Sequence, residues 1–242
     1  MKAMILAAGE GTRLRPLSLS LPKVLAPLNG APLLQFTLEW LKRHGVRQVA
    51  INLCHLGPKI LDFCSDGSRF DLRITYSWEE APLGTAGGVK KIAGFFDQTF
   101  IVVYGDVLTN LDLSRMMRWH KLKRGVATIA VHKVVNPWQS GVVSLNRHGQ
   151  IVEFVEKPRL EAEPECLVNG GVYILEKSIL NYIPDDGYCD FGYDVFPMLI
   201  SSGIPIYAYI LGDEEYLIDI GDWEHYGQAI NDLKTGKVRV LP

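Results

Sequence analysis

The chain opens with Met1-Lys-Ala-Met-Ile-Leu-Ala-Ala8, continues as Gly9-Glu-Gly11-Thr12-Arg13, and reaches Pro22-Lys23 ten residues after the arginine. This stretch predicts a buried strand that runs into a glycine-rich loop, with two cationic side chains close behind it. Glycines allow backbone N–H groups to approach an anion, and nearby cations neutralise its charge. The stretch therefore predicts a site for a phosphate-bearing ligand at the end of the first strand.

Two common phosphate-binding loops do not match this stretch. Gly9-x-Gly11 begins like the dinucleotide fingerprint, but Leu14 stands at the third glycine position. Glu39 also lies too far along the chain to be the acidic residue expected about 20 positions on. The P-loop fails as well, because the chain has no Gly-Lys-Ser/Thr sequence. For the two glycines alone, a plain strand-to-helix turn is the alternative.

The composition is that of an ordinary globular chain. Its 242 residues are 48% hydrophobic and 21% charged, with a net charge of -2, and they suffice for one large domain or two small ones. No basic run indicates nucleic-acid binding. The apolar run from Ala3 to Ala8 is too short to span a membrane and lacks the features of a signal peptide, so we expect a cytoplasmic protein without a membrane partner. Four scattered cysteines are expected to be reduced thiols rather than zinc ligands.

Hydrophobic periodicity divides the chain into two parts. The first half alternates strands (2–8, 48–53, 72–77 and 99–104) with helices, one of which carries Leu34, Leu38 and Leu41 on one face and stops at Gly45. The second half is richer in strands (126–131, 141–145, 151–155, 168–175 and 206–211), with helices at 194–201 and 223–233. We therefore predict a single α/β domain over residues 1–242, with a mixed, mostly parallel central sheet and a second half that completes a cleft.

Six short blocks resemble the signature segments of the sugar-1-phosphate nucleotidyltransferases, and they occur in that family's order. The blocks are Leu6–Pro16 with Pro22-Lys23, Leu83–Gly87, Gly105-Asp106, Glu156–Pro158, Asn169–Gly171 and Leu217–Gly221. The resemblance implies a Rossmann-like fold of the kind seen in many glycosyltransferases. It also implies a Mg2+-dependent reaction in which an NTP and a sugar-1-phosphate give an NDP-sugar and pyrophosphate. Many members append a C-terminal β-helix; this chain resembles the catalytic domain alone, and a homo-oligomer is left open.

The implied reaction is an in-line displacement at the α-phosphorus, so the protein mainly positions groups and neutralises charge. Arg13 is expected to grip the leaving pyrophosphate with two N–H groups, and Lys23 to act as a point charge on the same phosphates. With Asp106, they are the predicted catalytic residues. The resemblance assigns nucleotide contacts to Leu6, Ala8, Gly9, Gly11, Thr12, Arg13, Lys23, Glu79 and Gly84.

Two aspartates are the predicted magnesium ligands. Asp106 follows a predicted strand at its carboxyl end, where ligands bind in open α/β sheets, and Asp219 follows a second short apolar segment. Mg2+ prefers such hard oxygen ligands, and substrate phosphates would complete its coordination. The alternative for each aspartate is a helix cap, although Asp112 and Asp222 are better placed for that role.

The predicted sugar-phosphate residues lie in the second half. Lys157 is the candidate cation for the phosphate, and Glu156 could accept hydrogen bonds from two sugar hydroxyls. Asn169 and Gly170 offer an amide and bare backbone to the sugar ring, and Gly141 is a further candidate contact. The alternatives are an exposed ion pair at a strand end for the first two residues and a β-bulge for Asn169 and Gly170.

Glu79 bears on the choice of base. The segment from Glu79 to Gly87 resembles guanylyl and some uridylyl members, whereas thymidylyl members usually carry glutamine at this position. A carboxylate only accepts hydrogen bonds, and guanine presents two adjacent donors, N1–H and N2–H2, that one carboxylate can take together. Glu79 therefore favours GTP, and with it mannose-1-phosphate or a related sugar such as a heptose-1-phosphate. The neighbouring Glu80 leaves a one-residue shift open.

Other functions stay open from the sequence. One is a uridylyl- or thymidylyltransferase acting on glucose-1-phosphate or another hexose-1-phosphate. A catalytically silent regulatory subunit that binds a nucleotide-sugar would be expected to lack some of Arg13, Lys23, Asp106 and Asp219, yet all four are present. A glycosyltransferase would normally carry an Asp-x-Asp step, whereas here Asp106 is followed by Val107 and Leu108.

Overall fold

The computed structural model describes residues 1–135, 140–158 and 165–238, and the chain forms two compact units. The first unit consists of Met1–Pro82, Val102–Asp112 and the residues from Asp213 onward; the second consists of Leu83–Ile101 and Leu113–Gly212. The strands are β1 (Lys2–Leu6), β2 (Pro27–Leu28), β3 (Ala31–Pro32), β4 (Gln48–Leu53), β5 (Arg73–Trp78), β6 (Phe100–Tyr104), β7 (Val107–Thr109), β8 (Ala127–Val134), β9 (Gly141–Leu145), β10 (Ile151–Glu156), β11 (Cys166–Leu175), β12 (Ile206–Ile210) and β13 (Leu217–Asp219). The α-helices are α1 (Leu17–Ser20), α2 (Leu33–Arg43), α3 (Gly57–Cys64), α4 (Gly84–Lys91), α5 (Leu113–Lys123), α6 (Phe196–Ser201) and α7 (Trp223–Lys234).

The first unit is built on strands in the order β6-β1-β4-β5. β1, β4 and β5 run parallel, and the apolar side chains in the middle of β1 and along β4 are buried on both faces, as expected where helices cover a parallel sheet. Helix α2 buries Leu34, Leu38 and Leu41 along one face, and the chain leaves it through Gly45, whose φ of 80° suits a glycine.

A short antiparallel ladder of β7 and β13 lies in the same unit and pairs Asp219 with Val107. Its apolar side chains join a core cluster with Leu14, Leu28 and Tyr226. Helix α7 follows, and its N-cap is Asp222, whose carboxylate accepts the His225 N–H at 2.9 Å. The ladder therefore fixes the position of Asp219, and the cap role falls to Asp222.

The second unit centres on β11, which pairs antiparallel with β8 on one edge and with β9 on the other. β10 extends this sheet beside β9, and β12 runs parallel to β8. The register between β11 and β8 shifts between Asn169 and Tyr173, at the position for which the sequence left a β-bulge as an alternative. Tyr173 packs edge-on against Phe191 and Phe196 in an aromatic cluster.

The predicted α/β fold with a central mixed sheet is confirmed, and β4 and β9 have the predicted bounds. β1 is shorter than predicted, because the Ala7 N–H donates to the side chain of Asn52 instead of continuing the ladder. The helix expected at 194–201 begins earlier, as a π-helical turn over Phe191–Val195. No helix in the described part of the chain is long and apolar enough to cross a membrane.

Candidate active site

The glycine-rich loop follows β1 directly. Gly11 has a φ of 65°, a conformation that favours glycine, and a Cβ there would make a tight contact of 3.1 Å with the Cβ of Lys23. A 3-10 turn over Thr12–Leu14 follows, with Leu14 buried and Arg13 exposed. The loop therefore places the guanidinium of Arg13 outward and holds the lysine close beside it.

Gly105 sets the position of Asp106. Its N–H donates to the Leu6 carbonyl at 2.9 Å, and a Cβ at this position would lie 2.6 Å from that same oxygen and from Val24. Only glycine allows so close an approach to the end of β1. Asp106, the next residue, accepts a hydrogen bond and ion pair from the ammonium of Lys23, with both side chains 17% exposed.

Opposing effects act on the pKa values of the two predicted magnesium ligands, Asp106 and Asp219. Burial raises the pKa of Asp106, but the charge and hydrogen bond of Lys23, together with Arg13, hold that pKa below its usual value. Burial raises the pKa of Asp219, and the negative charge of Asp106 raises it further. The two carboxylates therefore lie close enough to repel each other, which is a donor set that a divalent cation would stabilise.

Gly221 leaves space for the side chains of Asp219 and Arg13. Its N–H donates to Asp219 Oδ1 at 2.9 Å, and a Cβ there would lie 2.6 Å from Asp219 Oδ1 and 2.8 Å from Arg13 Nη2. The first unit thus brings together Arg13, Lys23, Asp106 and Asp219. In the described ranges, no group of three or more His, Cys, Asp or Glu side chains is arranged to hold a metal, so the protein offers this pair of carboxylates.

Glu79 follows β5 and is 5% exposed, while Glu80 is exposed. The Glu79 carboxylate accepts a hydrogen bond from Asn52 Nδ2 at 2.8 Å, and its N–H donates to the Leu53 carbonyl at 2.8 Å. Asn52 in turn accepts the Ala7 N–H at 2.7 Å. Of the two adjacent glutamates, Glu79 is therefore the one held in a fixed orientation.

The segment Leu83–Gly87 lies in the second unit and opens α4. Gly84 has a φ of 78°, and a Cβ there would lie 2.3 Å from the Cys189 carbonyl oxygen. That carbonyl accepts the N–H groups of Ala86 and Gly87 at 3.0 and 2.9 Å. The first turn of α4 is therefore fastened to the backbone of Cys189 and cannot move independently of it.

Asp190, which the sequence analysis did not select, contacts the segment Leu83–Gly87 through Thr85. Its Oδ2 accepts a hydrogen bond from the Thr85 hydroxyl at 2.8 Å, and the Thr85 oxygen accepts the Phe191 N–H at 2.8 Å. Its Oδ1 accepts the N–H groups of Gly192 and Tyr193 at 2.8 and 3.2 Å. An aspartate directly before a helix is typical of an N-cap, but the sequence predicts a helix that begins four residues later, at Asp194.

Glu156 lies at the end of β10 between two glycines, and its side chain is 14% exposed. A Cβ on Gly141 would lie 2.6 Å from Glu156 Oε2, and a Cβ on Gly192 would lie 2.5 Å from the same oxygen. Burial raises the pKa of Glu156 to about 6, against a lowering by Lys157 and with a further raising by Asp190. The glycines therefore form a fitted space around one carboxylate.

Lys157 directly follows Glu156 in the chain, and Asn169 lies on β11, which pairs with β9. Lys157 has a φ of 47°, an uncommon conformation for a residue with a side chain, and such outliers cluster at functional sites. Its ammonium lies 3.8 Å from Glu156 Oε1. Asn169 shapes the bulge of β11: it accepts the Gly171 N–H at 3.0 Å and donates to the Tyr173 hydroxyl at 2.8 Å. Gly170, beside it, is buried.

Comparison with known proteins identifies the family of this chain. A family model described as "Nucleotidyl transferase" matches residues 2–236. The chain belongs to this family. It is 40% identical over 253 residues to a UTP–glucose-1-phosphate uridylyltransferase of Synechocystis sp., covering 99% of this chain and 65% of that protein. It is 34% identical over 236 residues to a mannose-1-phosphate guanylyltransferase of Mycobacterium tuberculosis, covering 97% and 65%.

The chain spans about 65% of the length of these two relatives. A solved structure of similar length is that of HddC from Yersinia pseudotuberculosis complexed with GMP-PN. It is 27% identical and superposes with a TM-score of 0.81, covering 96% of this chain and 99% of that one. The family and its fold are therefore established for this chain, whereas the named substrates belong to the relatives.

Proposed function

We propose that this chain transfers a nucleotidyl group from an NTP to a sugar-1-phosphate. An oxygen of the sugar phosphate attacks the α-phosphorus, the bond from the α-phosphorus to the bridging oxygen breaks, and pyrophosphate leaves. The observation that carries the proposal is the grouping of Arg13, Lys23, Asp106 and Asp219 in the first unit. A leaving pyrophosphate needs cations, and this group supplies two beside two carboxylates.

Arg13 and Lys23 neutralise the phosphates in this proposal. The planar guanidinium of Arg13 can bind two oxygens at once, and the ammonium of Lys23 acts as a point charge. Lys23 is bonded to Asp106, so an incoming triphosphate competes with the aspartate for the lysine. Asp106 and Asp219 would hold Mg2+, which when bound offsets the charge that develops on the α-phosphate.

Glu156 and Lys157 are proposed to bind the second substrate. The ionised Glu156 carboxylate accepts hydrogen bonds from sugar hydroxyls, and the Lys157 ammonium offsets the phosphate charge. The close approach of Gly141 and Gly192 to Glu156 supports this role, because a carboxylate held in a fitted space selects hydroxyls by position.

For the base and sugar we propose GTP with mannose-1-phosphate or a related manno-configured sugar-1-phosphate. The fixed carboxylate of Glu79 is the supporting feature, since it suits the two adjacent donors of guanine. The guanylyltransferase relatives and the neighbour solved with GMP-PN agree with this choice. A uridylyltransferase acting on glucose-1-phosphate is the second candidate, because a relative with that name is 40% identical.

A pyrophosphate-release assay tests the proposal. With Mg2+ present, GTP, UTP, dTTP, ATP and CTP are each combined with mannose-1-phosphate and with glucose-1-phosphate. Fast release with GTP and mannose-1-phosphate is the expected result, and slow release with GTP and both sugars would indicate another manno-configured sugar. Fast release with UTP and glucose-1-phosphate would select the second candidate. Nucleotide binding without any release would overturn the enzyme proposal in favour of a regulatory subunit.

A further inference from the structure

Asn52 joins the ends of three neighbouring strands of the first unit. It lies in β4 and is 3% exposed. Its Oδ1 accepts the N–H of Ala7, which follows β1, and its Nδ2 donates to the carboxylate of Glu79, which follows β5. A buried amide is costly unless its polar atoms are bonded, and here both ends have partners.

The contacts fix which way the amide faces. The Ala7 N–H can only donate, so the oxygen of Asn52 must face it, and the NH2 group must then face Glu79. The resulting bond of 2.8 Å defines the orientation of one carboxylate oxygen, while the Glu79 N–H to the Leu53 carbonyl fixes the backbone below it. Aspartate in place of Asn52 would keep an acceptor for Ala7 but, when ionised, would offer Glu79 no donor.

We propose that Asn52 is a positioning residue that determines the choice of nucleotide base through Glu79. It holds the carboxylate plane so that the two adjacent donors of guanine are accepted together, and it ties this plane to the strand that enters the glycine-rich loop. The inference rests on the proposed role of Glu79 in base recognition. Asn52 lies in none of the six blocks that resemble the family, and the inference gives it the role of orienting Glu79.

The test is the selectivity ratio of kcat/KM for GTP to kcat/KM for UTP, measured by pyrophosphate release at pH 8 and saturating sugar-1-phosphate. A ratio within one preparation cancels differences in the folded fraction, so a merely structural effect leaves it unchanged. The variants are Asn52→Val, Asn52→Asp, Glu79→Gln and the double variant Glu79→Gln with Asn52→Val. Asn52→Asp serves if the valine variant does not fold, because it keeps the bond to Ala7.

The matched control is Ser77→Ala. Ser77 is buried on β5 directly opposite Asn52 in the strand register, so its truncation perturbs the same strand pair without removing the bond to Glu79. We expect the control to keep the wild-type ratio. We expect both Asn52 variants to lower the ratio about tenfold. This is the low end of the loss seen when a residue that hydrogen-bonds to and orients a metal ligand is mutated. In the double variant the loss should equal that of Glu79→Gln alone, because the two residues act through one contact.

The outcomes separate the inference from the function beneath it. If Glu79→Gln lowers the ratio while both Asn52 variants keep it, the role of Asn52 is wrong and that of Glu79 stands. If the losses of the single variants add in the double variant, Asn52 acts by another route and the inference is again wrong. If Glu79→Gln itself leaves the ratio unchanged, base recognition by Glu79 fails, and the inference fails with it.

Discussion

Gly192→Ala offers a direct test of the fitted space around Glu156. Gly192 lies in the π-helical turn Phe191–Val195, and its backbone conformation is one that alanine adopts without strain. The added methyl group would nevertheless lie 2.5 Å from Glu156 Oε2 and 3.1 Å from its carboxyl carbon. The shortest contact of the new methyl group is therefore with the Glu156 carboxylate, and its next neighbour is Asp190 Oδ1 at 3.3 Å.

The size of the effect follows from these distances. Ordinary van der Waals contact begins at 3.4 Å, so the carboxylate must move by about 0.9 Å. Gly141 also lies beside Glu156 Oε2, since a Cβ there would be 2.6 Å from that oxygen and from the buried Phe154 ring, so the room for this movement is small. A misplacement of about 1 Å costs roughly 100-fold in rate, which corresponds to about 2.7 kcal/mol of transition-state stabilisation.

Steady-state pyrophosphate release measures this effect. With NTP saturating and sugar-1-phosphate varied, kcat/KM for the sugar-1-phosphate should fall about 100-fold, while the KM for the NTP stays near wild type. The matched control is Gly94→Ala in the same unit, where a Cβ meets no atom within 4 Å; it should leave the kinetics unchanged and stabilise the fold by about 0.4–1 kcal/mol. A folded Gly192→Ala variant with wild-type kcat/KM for the sugar-1-phosphate would refute the role of Glu156.

Three further predictions concern the charged residues. Lys23→Ala and Asp106→Ala should each lower kcat/KM by about 10²- to 10⁴-fold in the same assay, because each removes a charge that stabilises the transition state; near-wild-type rates would remove them from the catalytic group. Since burial raises the pKa of Glu156 to about 6, its protonation should raise the KM for sugar-1-phosphate as the pH falls through 6. Glu156→Gln is the control. In this variant the substrate phosphate still titrates near pH 6, so only the part of the inflection in KM against pH that Glu156 contributes should disappear. Thr85→Val should raise the KM for NTP about tenfold, in line with one lost charge-assisted hydrogen bond to Asp190. Thr85→Ser should restore the wild-type KM. Equal effects of valine and serine would show that the hydroxyl is not what positions the segment Leu83–Gly87.

The positions of the glycine-rich loop and of the charged residues near it could be predicted because the signal there is local. Arg13 and Asp106 lie in segments that follow β1 and β6, and Asp219 ends β13; strand ends are read from runs of apolar residues such as Phe100–Tyr104. The same holds for the cap of α7, where Asp222 stands directly before the periodic residues of the helix.

Several contacts that the sequence did not predict join distant positions. Asn52 is 27 residues from Glu79, and Thr85 is 105 residues from Asp190. β7 was missed for the same reason: it consists of three residues and is defined by its pairing with β13, more than a hundred positions further on. No period or spacing within either segment carries that information, since the partner alone decides the structure.

Four glycines show what kind of information local reasoning leaves out. Gly105, Gly141, Gly192 and Gly221 have ordinary backbone conformations, so no turn requires them. At each, a Cβ would lie within 2.5 to 2.6 Å of an oxygen: the Leu6 carbonyl, the Glu156 carboxylate at two of them, or the Asp219 carboxylate. Their common property is the space that they leave for oxygen atoms of the candidate site. Because a Cβ at these positions would displace the Leu6 carbonyl, the Glu156 carboxylate or the Asp219 carboxylate, the geometry of the site depends on the absence of side chains there as well as on its charged groups.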